Sequence, residues 1–220
     1  MADSGATPTV ARERSSRWDT FLLFGLEHRG LDLLLTAGLT VFLLWSRLAL
    51  LASGPWEWDE TIFARGVFDF DLLAHFPHPP GFPGWIAIGH LLLPVAGTPL
   101  KALELGSALL SVAALWPLVS LGRRVAPPVV AVAAAALVLL LPGPWLHAVR
   151  GFSSTPATTF ALFAAALLAG GLAGRRVTAF TLLVAAAFLI RPILLPGLGL
   201  LWLGGALTVR PLRRLVPGVV

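Results

Sequence analysis

Residues 84–95 read GWIAIGHLLLPV, an apolar stretch with proline and glycine on both sides. As a helix it would extend about 18 Å at about 1.5 Å per residue. That is too little for a hydrocarbon core of about 30 Å. Working outward, one longer apolar run precedes it at 31–52. Further runs follow at 100–121, 127–141, 156–173, 177–190 and 193–208. The last two are separated only by Arg191-Pro192 and read as a tight helical hairpin.

Charge resolves whether 84–95 crosses. If it does not, the spans number six and both ends of the chain lie inside. Arg12, Arg14, Arg17 and Arg29 then share the cytoplasmic side with Arg123, Arg124, Arg175, Arg176, Arg210, Arg213 and Arg214. Eleven of the 16 basic residues fall inside, as the positive-inside rule requires. If it did cross, the seven clustered arginines after it would all be exported. The expectation is therefore an all-α integral membrane protein of about six transmembrane helices, with 84–95 lying in or re-entering the outer leaflet.

Composition agrees. Hydrophobic residues make up 57% and charged residues 12%, about half the charge of an ordinary soluble domain. So little charge cannot coat a soluble globule, which excludes a soluble enzyme, a nucleic-acid binder and a disordered chain. The net charge of +5 sits in short arginine clusters between apolar runs, a mark of membrane topology rather than of a phosphate-tracking groove. No cysteine is present, so disulfides and thiolate chemistry are excluded. The organisation read from the sequence is a cytoplasmic amphipathic N-terminus at 1–30, a transmembrane core at 31–209 with an outer loop at 53–99, and a cytoplasmic tail at 210–220.

The chemistry concentrates in residues 54–85, GPWEWDETIFARGVFDFDLLAHFPHPPGFPGW. Five of the chain's 11 acidic residues lie here, Glu57, Asp59, Glu60, Asp69 and Asp71, with His75 and His78. Asp59-Glu60 follows the end of the first span closely. His78-Pro79-Pro80 forces an extended turn, because proline fixes φ and restricts its predecessor. A plain solvated loop is the alternative reading, and the order of these residues weighs against it.

Asp-Glu after the first span, an aromatic-rich stretch and then His-Pro-Pro before an apolar Trp-containing segment resembles the GT-C superfamily. The likeness is to bacterial glycosyltransferase family 39, of the protein O-mannosyltransferase and aminoarabinose-transferase type, over about 31–191. The resemblance implies a multispanning transferase that moves a sugar from a polyprenyl-phosphate donor to an acceptor outside the cytoplasm. It implies juxtamembrane helices after the first span, and a bacterial plasma-membrane location with the active face outward. It makes Asp59 the catalytic general base, drawing a proton from the attacking acceptor. Glu60 shares that task, helps hold a divalent metal with Asp59, or is simply a carboxylate at a helix N-terminus. His78 orders the loop or binds substrate, with a metal ligand as the further alternative. The chain departs from the family where members commonly carry a further acid: residues 150–156 read RGFSSTP. It is also shorter than most members.

Five cations break the inside pattern: Arg47, Arg65, Lys101, Arg150 and Arg191. Arg150 and Arg191 stand next to span ends, where arginine forks can grip a carrier phosphate or snorkel to lipid phosphates. Arg47 is read as snorkelling. Arg65 faces the choice of Glu57, Asp59 or Asp69 as partner. Lys101 and Glu104, three apart on one helix, suit a pair. The substrate-binding set is thus Arg65, His78, Lys101, Glu104, Arg150 and Arg191. Partners follow as a polyprenyl-phosphate-linked sugar and membrane lipid, with a partner subunit in the competing reading. That reading is a truncated or degenerate, non-catalytic module that binds the lipid carrier or a longer subunit. A small transporter ranks below both, because the charges gather at one face rather than at the midplane.

Overall fold

The computed structural model describes residues 29–209. The amphipathic helix expected at 11–30 and the tail arginines Arg210, Arg213 and Arg214 lie essentially outside them. The described residues are helical throughout, apart from turns and one isolated bridge between Asp71 and Phe76. In chain order the helices are α1 (Arg29–Ala49), α2 (Trp58–Phe68), α3 (Pro83–Ala96), α4 (Pro99–Ala113), α5 (Leu115–Gly122), α6 (Pro128–Leu140), α7 (Pro142–Ala148), α8 (Ser154–Ala169), α9 (Arg175–Ile190) and α10 (Leu195–Thr208). A short 3-10 turn, Pro192–Leu194, precedes α10.

Each apolar run of the sequence is thus a helix, and the loop at 53–99 contributes two more, α2 and α3. Among the described residues, two segments are long and apolar enough to cross a membrane: Gly30–Ala49, and Pro99–Gly122, which α4 and α5 form together. A third is reached only if α6 and α7, bent by 68°, count as one. The remaining apolar helices are shorter. α8 and α9 have 16 residues each, about 24 Å at 1.5 Å per residue.

Proline and glycine set the boundaries. Pro83, Pro99, Pro128 and Pro142 each open a helix, where the missing N–H costs nothing. α3 closes on Gly97 in the left-handed conformation, φ 78°, which an L side chain rarely adopts. Thr98 then caps α4, its hydroxyl accepting from the Lys101 N–H.

Three apolar clusters hold the bundle. Leu43, Val112, Leu115, Val132 and Leu139 join α1 to α4, α5 and α6. Phe63, Val67, Trp85, Leu103 and Ile190 lock α2 and α3 onto α4 and α9. Phe180, Val184 and Leu198 join α9 to α10 and α8. Much of the outside is apolar: Leu34, Val41, Trp45, Leu91, Leu182 and Leu200 are all exposed. A soluble protein rarely shows so much contiguous apolar surface, and a lipid environment accommodates it.

Candidate functional site at the carboxylate end of the bundle

α2 begins with Trp58, Asp59 and Glu60, and its Ile62, Phe63 and Val67 are buried. Adjacent residues on a helix point about 100° apart, so only one of the two acids can face the bundle. That one is Glu60, which is fully buried; Asp59 is half-buried at the margin.

Glu60 is the hub of this end. Arg150 donates to it through Nη2 at 2.6 Å and Nε at 3.3 Å. The backbone N–H groups of Trp56, Glu57 and Gly151 donate at 2.8, 3.2 and 3.0 Å. Burial pushes the Glu60 carboxyl up. The Arg150 hydrogen bond, the Trp56 and Gly151 N–H groups and the Arg150 charge together outweigh it, holding Glu60 below its ordinary value. The Arg150 guanidinium also lies 4.8 Å from the ring centres of both Trp56 and Phe152. The Arg150–Ser153 loop thereby closes over the start of α2, although 90 residues separate Glu60 from Arg150.

The neighbours extend this arrangement. The Trp85 indole N–H donates to the Gly151 carbonyl at 3.1 Å, tying α3 to the same loop. Arg191, at the end of α9, donates to the Ser153 hydroxyl at 2.9 Å. Lys101 pairs with Glu104 at 2.7 Å and also donates to the Ala52 carbonyl. Glu104 is fully buried, and its second oxygen has no hydrogen-bond partner. Ser107, one turn further along α4, donates to the His147 carbonyl at 3.0 Å.

The structure therefore brings together Glu60, Lys101, Glu104, Arg150 and Arg191 at one end of the bundle. Asp59 stands beside them and makes no hydrogen bond or ion pair among the described residues. Arg65 lies apart: of its three candidate partners it takes Asp69, 3.5 Å away, with both side chains exposed. His78 packs with Phe63 and Phe82 in a three-ring cluster, its ring centre 5.9 Å from Phe63 and 5.1 Å from the edge-on Phe82, which themselves lie 4.8 Å apart. Arg47 corrects the snorkelling expectation. It is 1% exposed, donates to the Leu139 carbonyl at 2.6 Å and covers Trp145 at 4.0 Å. The 68° break between α6 and α7 leaves carbonyls without intrahelical partners, and Arg47 supplies a donor to one of them.

Both Glu60 oxygens are committed to protein donors, and one partner is a cation. No group of three or more His, Asp or Glu residues converges on a metal position among the described residues.

Beside the Arg150–Ser153 loop opens a cleft of about 400 Å³ between the α4–α5 junction, α7 and the start of α8. Its polar lining is Ser111, His147, Ser154, Thr155, Thr158 and Thr159, and the rest is apolar. His147 Nδ1 and the Ser154 hydroxyl are 2.9 Å apart. The sequence reading missed His147, Ser107, Ser111 and the Trp85 link. The run Ser153-Ser154-Thr155 opening a helix was the available signal for the hydroxyls; nothing local marked His147.

The chain matches no family model, no curated protein and no solved structure.

Proposed function

We propose that this chain is the core of a membrane glycosyltransferase of the GT-C kind, working on a polyprenyl-phosphate sugar at the extracytoplasmic face of a bacterial plasma membrane. The observation that carries the reading is the meeting of Glu60 with Arg150 at 2.6 Å, three residues from Ser153 and its partner Arg191. It gathers the acidic stretch and two of the misplaced cations at one end of an apolar bundle.

In this reading Asp59 is the general base. It is half-buried beside the cluster, and no group among the described residues occupies its carboxylate. The acceptor hydroxyl or amine attacks the anomeric carbon and gives its proton to Asp59. The bond from that carbon to the carrier phosphate breaks, and polyprenyl phosphate leaves with the electron pair. Negative charge near the anomeric carbon stabilises its oxocarbenium character. Glu60 positions Asp59 by fixing the first turn of α2. Arg191 and Arg150 supply cationic charge for the phosphate, and the apolar cleft beside the loop suits a carrier chain.

The deciding experiment is sugar transfer in membranes by an Asp59→Asn variant, an almost isosteric change at a residue with no structural bond. Transfer should fall by at least about a hundredfold, the usual contribution of a general base. Undiminished transfer removes Asp59 from the mechanism. The second reading, a non-catalytic module that binds carrier or a longer subunit, is favoured by the hydroxyls at 153–155 where an acid would be expected. It predicts carrier binding without turnover in the unaltered chain.

A further inference from the structure

The other end of the bundle carries a groove of about 530 Å³ between α5 and α8, closed by the start of α9. Its walls are graded. Trp116, Ser120 and Arg124 follow one another at four-residue intervals along one face of α5 and its end, about 12 Å in all. Phe163 and Leu167 run beside them on α8, and Arg176 stands at the mouth. The groove is thus aromatic and apolar toward the bundle and cationic at its end.

Both arginines are held in place. Arg124 donates through one Nη to the Ala169 carbonyl, and Arg176 through one Nη to the Gly170 carbonyl at 3.1 Å. These carbonyls end α8. Each guanidinium keeps further N–H groups with no protein acceptor among the described residues. Among the described residues, no carboxylate lines the groove. Asp32, at the same end, is taken by Arg123 at 2.6 Å.

We infer that this groove binds the phosphate of an acidic membrane lipid between Arg124 and Arg176, with an acyl chain along Trp116, Phe163 and Leu167. Two guanidinium forks fixed on one helix end match phosphate oxygens. The polarity gradient favours an amphiphile over free phosphate, and basic pockets between helices are a usual place for such headgroups. The inference is independent of the transferase reading, because it uses the opposite end of the bundle and none of the same residues.

The test is native mass spectrometry of the full chain released from bilayers containing phosphatidylglycerol and phosphatidylcholine. The unaltered chain should retain phosphatidylglycerol in preference. Arg124→Gln and Arg176→Gln should each lower retention about fivefold, the effect of one basic residue at a membrane surface. Arg175→Gln, which removes an equal charge one residue away and outside the groove, should leave it unchanged. Ser120→Trp fills the groove without altering charge or core, and should abolish retention even if an arginine variant folds poorly. Equal loss in Arg175→Gln, or full retention in Ser120→Trp, overturns the inference. Displacement of the lipid by inorganic phosphate at matched concentration assigns the arginines to soluble phosphate and overturns it too.

Discussion

At the scale of single residues, Asp59 and Glu60 show how one position separates two roles. Glu60 gives both oxygens to the protein, so replacing it damages the fold before any chemistry. Glu60→Gln leaves the Arg150 guanidinium, whose side chain is 9% exposed, with Glu57 at 3.8 Å as its one counter-charge among the described residues. Breaking a buried pair from one side costs about 3–5 kcal/mol, so the variant should melt well below the parent in detergent at neutral pH. The pH dependence has a definite sign. The folded Glu60 carboxyl titrates below its unfolded value of about 4.3. Its stabilisation is therefore complete above that value and is lost as pH falls through the lower, folded one. Melting temperature should drop between about pH 4.3 and the onset of acid unfolding, and Glu60→Gln should flatten that part of the profile. A variant as stable as the parent, with the same acid slope, would show that the pair does not hold the loop. The acidic cluster was legible in the sequence, but the identity of the buried acid was not. That identity depends on the phase of α2 and on a loop 90 residues away, neither of which leaves a local pattern.

At the scale of helices, hydrophobicity announces where an element lies but says little about how closely two elements approach. Gly84 looked like a boundary residue beside a proline. In the fold it lets α3 touch the end of α9: a methyl group there would come within 2.8 Å of the Leu189 carbonyl carbon and 2.9 Å of the Ile190 nitrogen. Backbone cannot yield as a flexible side chain does. Gly84→Ala should therefore destabilise by about 1–3 kcal/mol, as overpacking does. Gly38, in the middle of α1, has nothing within 4 Å of the corresponding position. Gly38→Ala should instead stabilise by about 0.5–1 kcal/mol, the helix preference of alanine over glycine. Opposite shifts in thermal unfolding of the two variants would confirm that α3 is pressed against α9. Equal shifts would mean that the contact relaxes freely. Arg47 belongs to the same class of hidden detail. Its place near the end of the first span was plain in the sequence, but its acceptor is free only because the chain bends at Pro142, just after α6 ends at Leu140.

At the scale of the whole molecule, the topology turns on α3. α3 has 14 residues, and its packing favours a position confined to one side. Trp85 and Ile88 meet α4 at Gly106, and Gly89 meets it at Leu103. Both contact points lie in the half of Pro99–Gly122 nearest Thr98, so the far half of that span continues without α3 alongside. A re-entrant or surface helix packs in this way; a crossing helix would run the full length of its neighbour. The absence of cysteine makes a direct test simple, because any single introduced thiol reports alone. Leu73 is 94% exposed before α3, and Val125 is 88% exposed after α5. With α3 confined to one side, the chain crosses once between them. Leu73→Cys should then react with a membrane-impermeant maleimide in intact cells, and Val125→Cys only after permeabilisation. Were α3 to cross as well, both positions would label on the same side, and the seven clustered arginines from Arg123 onward would face outward with them. That outcome would also remove the charge asymmetry on which the orientation of the carboxylate end rests.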